Sequence, residues 1–555
     1  MNRITGRSAF LALLKDEGIT HLFGNPGTTE LPIMHALSEH PDLTYVLGLQ
    51  ESVVVAMADG FSRASGRLTA ANVHVAPGLG NAMGALYNAK FTGTPLILTA
   101  GQQEQGHGLT EPMLYDPLVP IAEPLVKWAV EVTRLEDLPR IVRRAAKVAT
   151  TAPTGPVFIS LPGDILNDEA GLDLGASTRV DTRARPSDAA LEALSDRLLA
   201  AERLVLVCGD ELVKSDALGE AAELAETLGA PAYQQTVPFG AHFPSEHPCY
   251  MGGLSRNQAQ VRDVLSDYDL LVVLGADVLR MSVWSEVEPL PADMPVVQIG
   301  QADWEMGKNF AAESAVRADV KTTLAALIPM LRERGGAALA ERAGAAVAGL
   351  AERNWSAKRA ALKEGIVQGA NGATPIDPDW LMLQLAETLP AHGIVVNEGL
   401  TSAGRLPDLL PYRDRYSYHG LASGGIGWGI AGAVGVQLAQ PERPVCAVIG
   451  DGSAMYSIQA LWTAAHLKLP MTFVICNNQS YRILKQRLLA FHQNDDYIGM
   501  DFQDPPLDFV SIAEGMGVTA ERITEPDAVR PALEAALANG GPNLLDVVID
   551  GSVGG

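Results

Sequence analysis

The sequence predicts an α/β protein with three doubly wound parallel-sheet domains. A chain of 555 residues is too long to fold around one hydrophobic core. Short apolar runs recur along the chain, and most are separated by about 20 residues of helix-compatible sequence. Strands that alternate with helices in this way form parallel sheets with helices on both faces.

The first domain is expected at residues 1–170, where five apolar runs are predicted to be strands. They are HLFG (21–24), TYVLGL (44–49), AANVHV (70–75), PLILTA (95–100) and GPVFISL (155–161). Residues 163–190 are polar and rich in turn formers, so we expect a linker there.

A central domain is expected at residues 185–335 and a third domain at 365–555, with a helical or loose connection over 335–375. The central strands are predicted at LVLVC (204–208), PAYQQ (231–235), LLVVLG (270–275) and PVVQIG (295–300). Those of the third domain are predicted at IVVNEG (394–399), VCAVIG (445–450), MTFVIC (471–476) and LLDVVID (544–550).

The composition argues against several classes of partner. A net charge of −24 disfavours binding to nucleic acid or to an anionic membrane. The four cysteines are scattered without a CxxC pair, so neither disulfides nor a zinc site is expected. The N-terminus lacks a cleavage site, and no run of 18 apolar residues occurs. These features predict a cytoplasmic protein without a membrane span.

The most informative motif lies at the end of a predicted strand in the third domain. Gly450-Asp451-Gly452 follows an apolar run, and Asn477-Asn478 follows the next one, with a single helix from Ser453 expected between the two strands. A βαβ crossover brings both strand ends to one carboxyl edge of the sheet. Carboxylate and amide oxygens suit Mg²⁺, and a helix start favours phosphate. Together they indicate a diphosphate cofactor.

This spacing resembles the signature of the thiamine diphosphate enzymes, in which GDG is followed by NN. The resemblance implies thiamine diphosphate and Mg²⁺ as cofactors, bound between a pyrimidine-binding first domain and a diphosphate-binding third domain. It implies Asp451, the Asn478 side chain and the Ser480 carbonyl as metal ligands. The implied cofactor-binding residues are Glu51, Leu400, Thr401, Gly425, Ile426, Gly450, Asp451, Gly452, Ser453, Asn478 and Tyr481, with Ile426 as a wedge that bends the cofactor.

Glu51 stands at a strand end and opens an apolar helix, where a carboxylate alone would merely favour the helix dipole. The run ESVVVAMADGFSRASG (51–66) matches the context of the activating glutamate of these enzymes. The resemblance therefore implies that Glu51 holds the proton on the N1′ nitrogen of the cofactor and so helps to activate it.

Within this superfamily the chain most resembles the benzoylformate decarboxylases. The resemblance is carried by FGNPGTTELP (23–32), HVAPGLGNAMGALYNA (74–89) and AVIGDGSAMYSIQALWTAA (447–465), among others. It implies decarboxylation of a benzoylformate-like 2-oxo acid to an aldehyde, with carboligation to 2-hydroxy ketones as a further outcome. His74 is implied as the acid/base at the substrate-derived oxygen, and Thr28 stands where the family has a carboxylate-binding serine.

Three polar residues near the first domain's strand ends are further candidates. Gln102 and Gln103 could line the mouth of the same site, whereas an exposed loop position is the simpler expectation for His107.

Two places depart from the family pattern. Ser282 fills the position of a second catalytic histidine, and a hydroxyl is no acid at neutral pH. The run from Tyr481 to Leu484 replaces smaller apolar residues that face the substrate, and both changes argue against benzoylformate itself as the substrate. Loss of the acid at position 282 would favour carboligation or lyase chemistry over simple release of the aldehyde. Arg482 either pairs with an anionic substrate or forms, with Lys485, surface pairs with nearby acids.

Other functions stay open at this point. An acetolactate synthase-type carboligase usually binds FAD in its central block, but no G-x-G-x-x-G follows a strand between 200 and 330. A 2-hydroxyacyl-CoA or benzaldehyde-type lyase would tolerate the missing histidine. A dinucleotide-dependent oxidoreductase or a binding module would share only the strand–helix rhythm.

The resemblance also implies an oligomer. In this superfamily the first and third domains of two different chains enclose each cofactor. A homodimer or homotetramer is therefore expected, acting on small 2-oxo acid and aldehyde substrates.

Overall fold

Three parallel six-stranded sheets form the protein, as the sequence predicts. The computed structural model describes residues 3–282, 284–369, 372 and 374–553. Helices flank each sheet, so the α/β fold class is confirmed.

The first sheet has the strand order β3-β2-β4-β5-β7-β6, and a two-residue antiparallel pair, β1 with β8, lies beside it. The strands are β1 (Ile4–Thr5), β2 (His21–Gly24), β3 (Thr44–Leu47), β4 (Thr69–Val73), β5 (Leu96–Gln102), β6 (Ala129–Glu131), β7 (Val157–Pro162) and β8 (Glu169–Ala170). The helices are α1 (Gly6–Asp16), α2 (Leu31–Ala36), α3 (Glu51–Ser65), α4 (Val75–Thr92), α5 (Leu118–Ala122), α6 (Leu138–Thr150) and α7 (Gly163–Asn167).

The second sheet has the order β11-β10-β9-β12-β13-β14. Its strands are β9 (Leu204–Cys208), β10 (Ala232–Gln234), β11 (Tyr250–Gly253), β12 (Leu270–Leu274), β13 (Val296–Gly300) and β14 (Ser314–Arg317). The helices are α8 (Asp188–Ala200), α9 (Asp210–Lys214), α10 (Leu218–Leu228), α11 (Gln258–Leu265), α12 (Val320–Leu350) and α13 (Trp355–Gly369). The connection expected over 335–375 is thus largely helical, and α12 is broken at Gly336, whose φ is +54°.

The third sheet has the order β16-β15-β17-β18-β20-β19. Its strands are β15 (Ile394–Glu398), β16 (Tyr418–Gly420), β17 (Val445–Gly450), β18 (Met471–Asn477), β19 (Thr519–Ile523) and β20 (Asn543–Val548). The helices are α14 (Pro378–Thr388), α15 (Leu406–Leu409), α16 (Gly429–Ala439), α17 (Asp451–Ser457), α18 (Ala460–His466), α19 (Arg482–His492), α20 (Phe509–Gly515) and α21 (Val529–Ala538).

Glycines let α3 of the first domain and α16 of the third domain pack backbone to backbone. A Cβ on Gly60 would lie 2.1 Å from the carbonyl oxygen of Gly432, and one on Gly435 would lie 1.9 Å from that of Met57. No larger residue fits at Gly60 or Gly435, because interiors are packed to crystal density. One apolar core therefore runs from the first sheet into the third.

Arg63 joins all three domains from its buried position on α3. Its guanidinium donates to the carbonyl oxygens of Phe239 and Gly420 and lies 4.5 Å from the ring centroid of Trp428. Burial lowers the pKa of this guanidinium from its ordinary value.

Among the helices in the part of the chain that the structure describes, we find no candidate for a membrane-spanning segment.

Candidate active site

The carboxyl edge of the first sheet gathers three of the predicted catalytic residues. Glu51 begins α3 after β3, Thr28 follows β2, and His74 follows β4 directly. These three strands are neighbours in the sheet, so their carboxyl ends meet along one edge.

The Glu51 carboxylate is buried and hydrogen-bonded on both oxygens. Asn25, just after β2, donates its Nδ2 to Oε1 across 3.2 Å, and Asn81 on α4 donates its Nδ2 to Oε2 across 3.0 Å. Gly78 lies against the same carboxylate, where a Cβ would be 3.1 Å from Oε1. Two side-chain amides thus orient the Glu51 carboxylate at the carboxyl edge of the first sheet.

The His74 ring is bound through one nitrogen only. Its Nδ1 lies 2.7 Å from Oε2 of Glu30, whose side chain is fully buried, and 3.1 Å from Oγ1 of Thr29. Within the described residues, Nε2 makes no hydrogen bond, and 22% of the side chain is exposed. The ring therefore has one nitrogen free for a ligand.

The other candidates of the first domain take different positions. Thr28 is exposed at the same edge, and its hydroxyl makes no hydrogen bond to any residue that the structure describes. Gln102 and Gln103 donate to the carbonyl oxygens of Asp116 and Met113, so they support a loop. His107 is exposed on that loop, in agreement with the simpler expectation.

The carboxyl edge of the third sheet contains the predicted metal ligands. Asp451 follows β17 and Asn478 follows the neighbouring β18, and the backbone N–H of Asn478 donates to Oδ2 of Asp451 across 2.9 Å. Oδ1 accepts from the N–H of Gly452 across 2.7 Å. Burial raises the pKa of Asp451 to about 6.

A divalent cation fits this donor set. Asp451 is a buried carboxylate without a cationic partner among the described residues, which is an unfavourable environment that a metal ion would relieve. The Ser480 carbonyl accepts no hydrogen bond in the described structure. The Oδ1 of Asn478 accepts from the N–H and the hydroxyl of Ser480, at 3.0 and 3.1 Å, so coordination would displace at least the hydroxyl.

The helix after this turn differs from the expectation. Two short helices, α17 and α18, replace the single predicted helix. Residues 458–462 between them form tighter turns, in which the N–H of Leu461 donates to the carbonyl of Ile458, three residues earlier.

The start of α17 lies under the aromatic ring of Tyr481. A Cβ on Gly452 would be 2.5 Å from the ring of Tyr481, whereas one on Gly450 would meet nothing closer than 3.7 Å.

A buried glutamate that the sequence analysis did not select organises the same edge. Glu398, the last residue of β15, accepts from the backbone N–H groups of Gly427 and Gly429 and from the Ser453 side chain. Complete burial raises its pKa to about 7. Glu398 therefore fixes the glycine-rich loop against the start of α17.

The predicted diphosphate loop and glycine-rich loop lie at neighbouring strand ends. Leu400 adopts a left-handed backbone with φ of +48°, which is rare for leucine and typical of functional sites, and Thr401 follows it half-buried. Gly425 is exposed and Ile426 is half-buried. Asn88 of the first domain accepts from the backbone N–H groups at 422 and 423, so it fixes this loop from the other domain.

The two departures from the family pattern lie in different surroundings. Ser282 is exposed on a loop of the central domain. Nearby Arg280 stacks on Phe91 at the end of α4, about 25 Å along that helix from His74. Lys485 pairs with Asp501 at 2.5 Å, and Arg482 donates to the Ser552 carbonyl, so both side chains have partners within the chain.

Glu51 and Asp451 lie at the carboxyl edges of two different sheets, the first and the third. Among the described residues, no hydrogen bond or ion pair joins the Glu51 group to the Asp451 group.

A large cavity of about 1060 Å³ lies away from both groups, between the carboxyl edge of the central sheet and the first domain. There, Glu211 accepts from the N–H groups of Gln301 and Ala302.

Four site residues were missed in the sequence analysis: Asn25, Glu30, Asn81 and Glu398. Each lies close in the chain to a residue that was selected, at a strand end or on the first turns of α4. Their position after apolar strands was the available signal, but their partners come from distant segments.

Comparison with known proteins identifies the family of this chain. Residues 4–113, 191–327 and 403–547 match the N-terminal TPP binding, central and C-terminal TPP binding domains of the thiamine pyrophosphate enzymes. A benzoylformate decarboxylase of Pseudomonas aeruginosa is 35% identical over 98% of both chains. A solved 4-hydroxybenzoylformate decarboxylase of Rhodococcus jostii RHA1 has 32% identity and a TM-score of 0.88, covering 99% of this chain and 100% of its own.

A second solved structure, a benzoylformate decarboxylase of Polynucleobacter necessarius, has 28% identity and a TM-score of 0.86 over 99% of both chains. All three domains and the full-length similarity point to the same conclusion, and the chain belongs to the thiamine pyrophosphate enzyme family.

Proposed function

We propose that this enzyme decarboxylates a 2-oxo acid of the benzoylformate type to an aldehyde, with thiamine diphosphate and Mg²⁺ as cofactors. The observation that carries the proposal is the shared edge of the first sheet, where Glu51, His74 and Thr28 meet at three neighbouring strand ends. Relatives with that named activity match nearly the whole chain.

The first edge would do the proton chemistry. When bound, the cofactor supplies an electron sink for cleavage of the carbon–carbon bond. Glu51, oriented by its two amide partners, would hold a proton at the N1′ nitrogen of the cofactor. The free Nε2 of His74 would exchange a proton with the substrate-derived oxygen, and the Thr28 hydroxyl would bind the substrate carboxylate.

The third edge would bind the diphosphate and its metal. Asp451, the Asn478 side chain and the Ser480 carbonyl would hold Mg²⁺. Gly450, Gly452, Ser453, Leu400 and Thr401 would contact the diphosphate through the strand ends and the start of α17. Gly425, Ile426 and Tyr481 would pack against the bound cofactor, with Ile426 as the wedge that bends it.

Each active site would form between two chains of a homodimer or homotetramer. Among the residues that the structure describes, no hydrogen bond or ion pair joins the Glu51 group to the Asp451 group, which supports this arrangement. Mixing inactive Glu51→Gln and Asp451→Ala chains tests it, because heterodimers would contain one intact site. Recovery of about a quarter of wild-type activity is expected for random dimers. No recovery after verified exchange would place both residues in the same chain's site.

Carboligation to 2-hydroxy ketones is proposed as a second outcome. Ser282 stands where the family has an acid, and a serine does not protonate the bound product fragment at neutral pH. The acetolactate synthase alternative, which usually binds FAD in the central domain, is disfavoured. The Glu211 carboxylate already accepts hydrogen bonds from backbone N–H groups at the carboxyl edge of the central sheet and would repel the diphosphate of that cofactor.

A substrate panel tests the proposed activity. The protein would be incubated with thiamine diphosphate, Mg²⁺ and aliphatic or aromatic 2-oxo acids, and CO₂, aldehydes and hydroxy ketones would be followed by mass spectrometry. Aldehyde from aryl 2-oxo acids is expected. Turnover without added thiamine diphosphate by the verified apo-protein, or none with any 2-oxo acid, would refute the proposal.

A further inference from the structure

Glu30 is a buried carboxylate whose acceptor positions are all used. Oε1 accepts from the N–H of Gly101 and the hydroxyl of Thr29, both across 2.8 Å. Oε2 accepts from the N–H of Gly27 across 2.9 Å and lies 2.7 Å from Nδ1 of His74. The side chain is fully buried, so Glu30 itself has no route to a ligand.

These bonds determine which His74 nitrogen carries a proton. A carboxylate only accepts, so Nδ1 must be the donor toward Oε2. The Thr29 hydroxyl agrees with this assignment, because its single proton is used on Oε1 of the same carboxylate. Toward His74 the Thr29 oxygen can therefore only accept, at 3.1 Å. In the neutral ring Nδ1 is then protonated and Nε2 has a free lone pair.

Two glycines and a strained residue maintain this arrangement. A Cβ on Gly27 would lie 2.1 Å from Nδ1 of His74, and one on Gly101 would lie 2.2 Å from Oε1 of Glu30. Val75, directly after His74, has a φ of +40°, which is an outlier for a β-branched residue. Strain of this kind persists only where the surroundings enforce it and clusters at functional sites.

We propose that Glu30 is a positioning residue, which fixes the tautomer and orientation of His74 so that Nε2 faces the substrate. The inference rests on the proposed acid/base function of His74. Glu30 acts only through the ring, since its own side chain is fully buried whereas that of His74 is partly exposed. By analogy with carboxylates that support metal-ligating histidines, loss of Glu30 should cost about 10- to 100-fold in activity.

Glu30→Gln tests the inference because an amide cannot accept on both sides. Its NH₂ group would face either the Gly101 N–H or the pair formed by Gly27 and His74. We expect kcat to fall about 10- to 100-fold with KM nearly unchanged and with unchanged cofactor affinity in calorimetry. In a His74→Ala background, Glu30→Gln should have no further effect on kcat. An equal loss in both backgrounds would overturn the inference.

Acylation of His74 by diethyl pyrocarbonate, followed over time by peptide mass spectrometry, gives a profile of the reactivity of the ring that does not depend on turnover. Glu30→Gln should lower the rate of this reaction at Nε2, because the neutral ring is no longer held in the tautomer that leaves the Nε2 lone pair free. Thr29→Val, which is the milder change, should shift it less in the same direction. An unchanged profile in both variants would refute the role of Glu30.

Glu17→Gln is the matched control for loss of a buried carboxylate in the same domain. Glu17 is as buried as Glu30 but pairs with Arg143 and Arg179, away from His74. Its kcat and acylation profile should match the wild type, and a changed profile would mean that general destabilisation explains the Glu30 result. Wild-type kcat in His74→Ala would refute the function of His74, whereas the acylation profile would still decide on Glu30.

Discussion

The backbone N–H of Asn478 donates to Oδ2 of Asp451 across 2.9 Å, although the two residues are 27 positions apart. This bond joins the ends of two neighbouring parallel strands and preorganises the carboxylate before any cation arrives. Asp451→Ala should lower the affinity for thiamine diphosphate in the presence of Mg²⁺ by at least about 100-fold, as expected for loss of a direct ligand. Isothermal titration calorimetry measures this change.

Asp546→Asn provides the control for that experiment. Asp546 is a buried carboxylate on the adjacent strand β20, bound by Asn477 and Arg522 rather than directed to the edge. We expect it to reduce stability but to leave cofactor affinity within about twofold. Equal losses of affinity in both variants would argue against Asp451 as a metal ligand.

The two glycines of the GDG turn should respond differently to alanine. Gly452→Ala should reduce the free energy of unfolding by about 1–3 kcal/mol, because its Cβ would clash with the Tyr481 ring. Gly450→Ala should be tolerated, since its φ is −69° and no atom lies closer than 3.7 Å to the added carbon. Urea unfolding of the cofactor-free chains separates the two, and equal stability would contradict the packing argument.

Glu398 should make the stability of the cofactor-free chain decrease as pH rises. Burial raises its folded-state pKa to about 7 from an ordinary value of 4.5, so the folded state binds the proton more tightly than the unfolded state. Stability is therefore highest below about pH 4.5 for this group and is lost between the two values, by roughly 3 kcal/mol. Asp451, with a pKa raised to about 6, contributes in the same direction.

Urea unfolding of wild type and Glu398→Gln between pH 5 and 8 measures the Glu398 contribution. The variant should show a smaller loss of stability with rising pH, whatever its absolute stability. Parallel curves would contradict the assignment.

All the central strands were predictable from sequence, whereas of the six edge strands only β3 was. β17 is buried up to Gly450 and β18 is buried throughout, and both are predominantly apolar in sequence. The five strands of the three sheets that were missed, β6, β11, β14, β16 and β19, all lie at sheet edges. An edge strand such as Thr519–Ile523 is mostly exposed and keeps polar residues, so it lacks the apolar signal.

The candidate site shows the same limit for tertiary interactions. Asp451, Asn478 and Glu51 stand in local motifs that the sequence displays. Glu30 and Glu398 obtain their roles from backbone N–H groups of Gly101 and Gly427, which lie 71 and 29 positions away. Local patterns do not encode such pairings.

The proposed activity depends most directly on Glu51, which would activate bound thiamine diphosphate. The decisive measurement is deuterium exchange at the cofactor's C2 position, followed by NMR, in wild type and Glu51→Gln with Mg²⁺ present. The variant should bind the cofactor with near-wild-type affinity in calorimetry but exchange at least about 100-fold more slowly, in proportion to its loss of turnover. Wild-type exchange in a fully loaded Glu51→Gln protein would contradict the account.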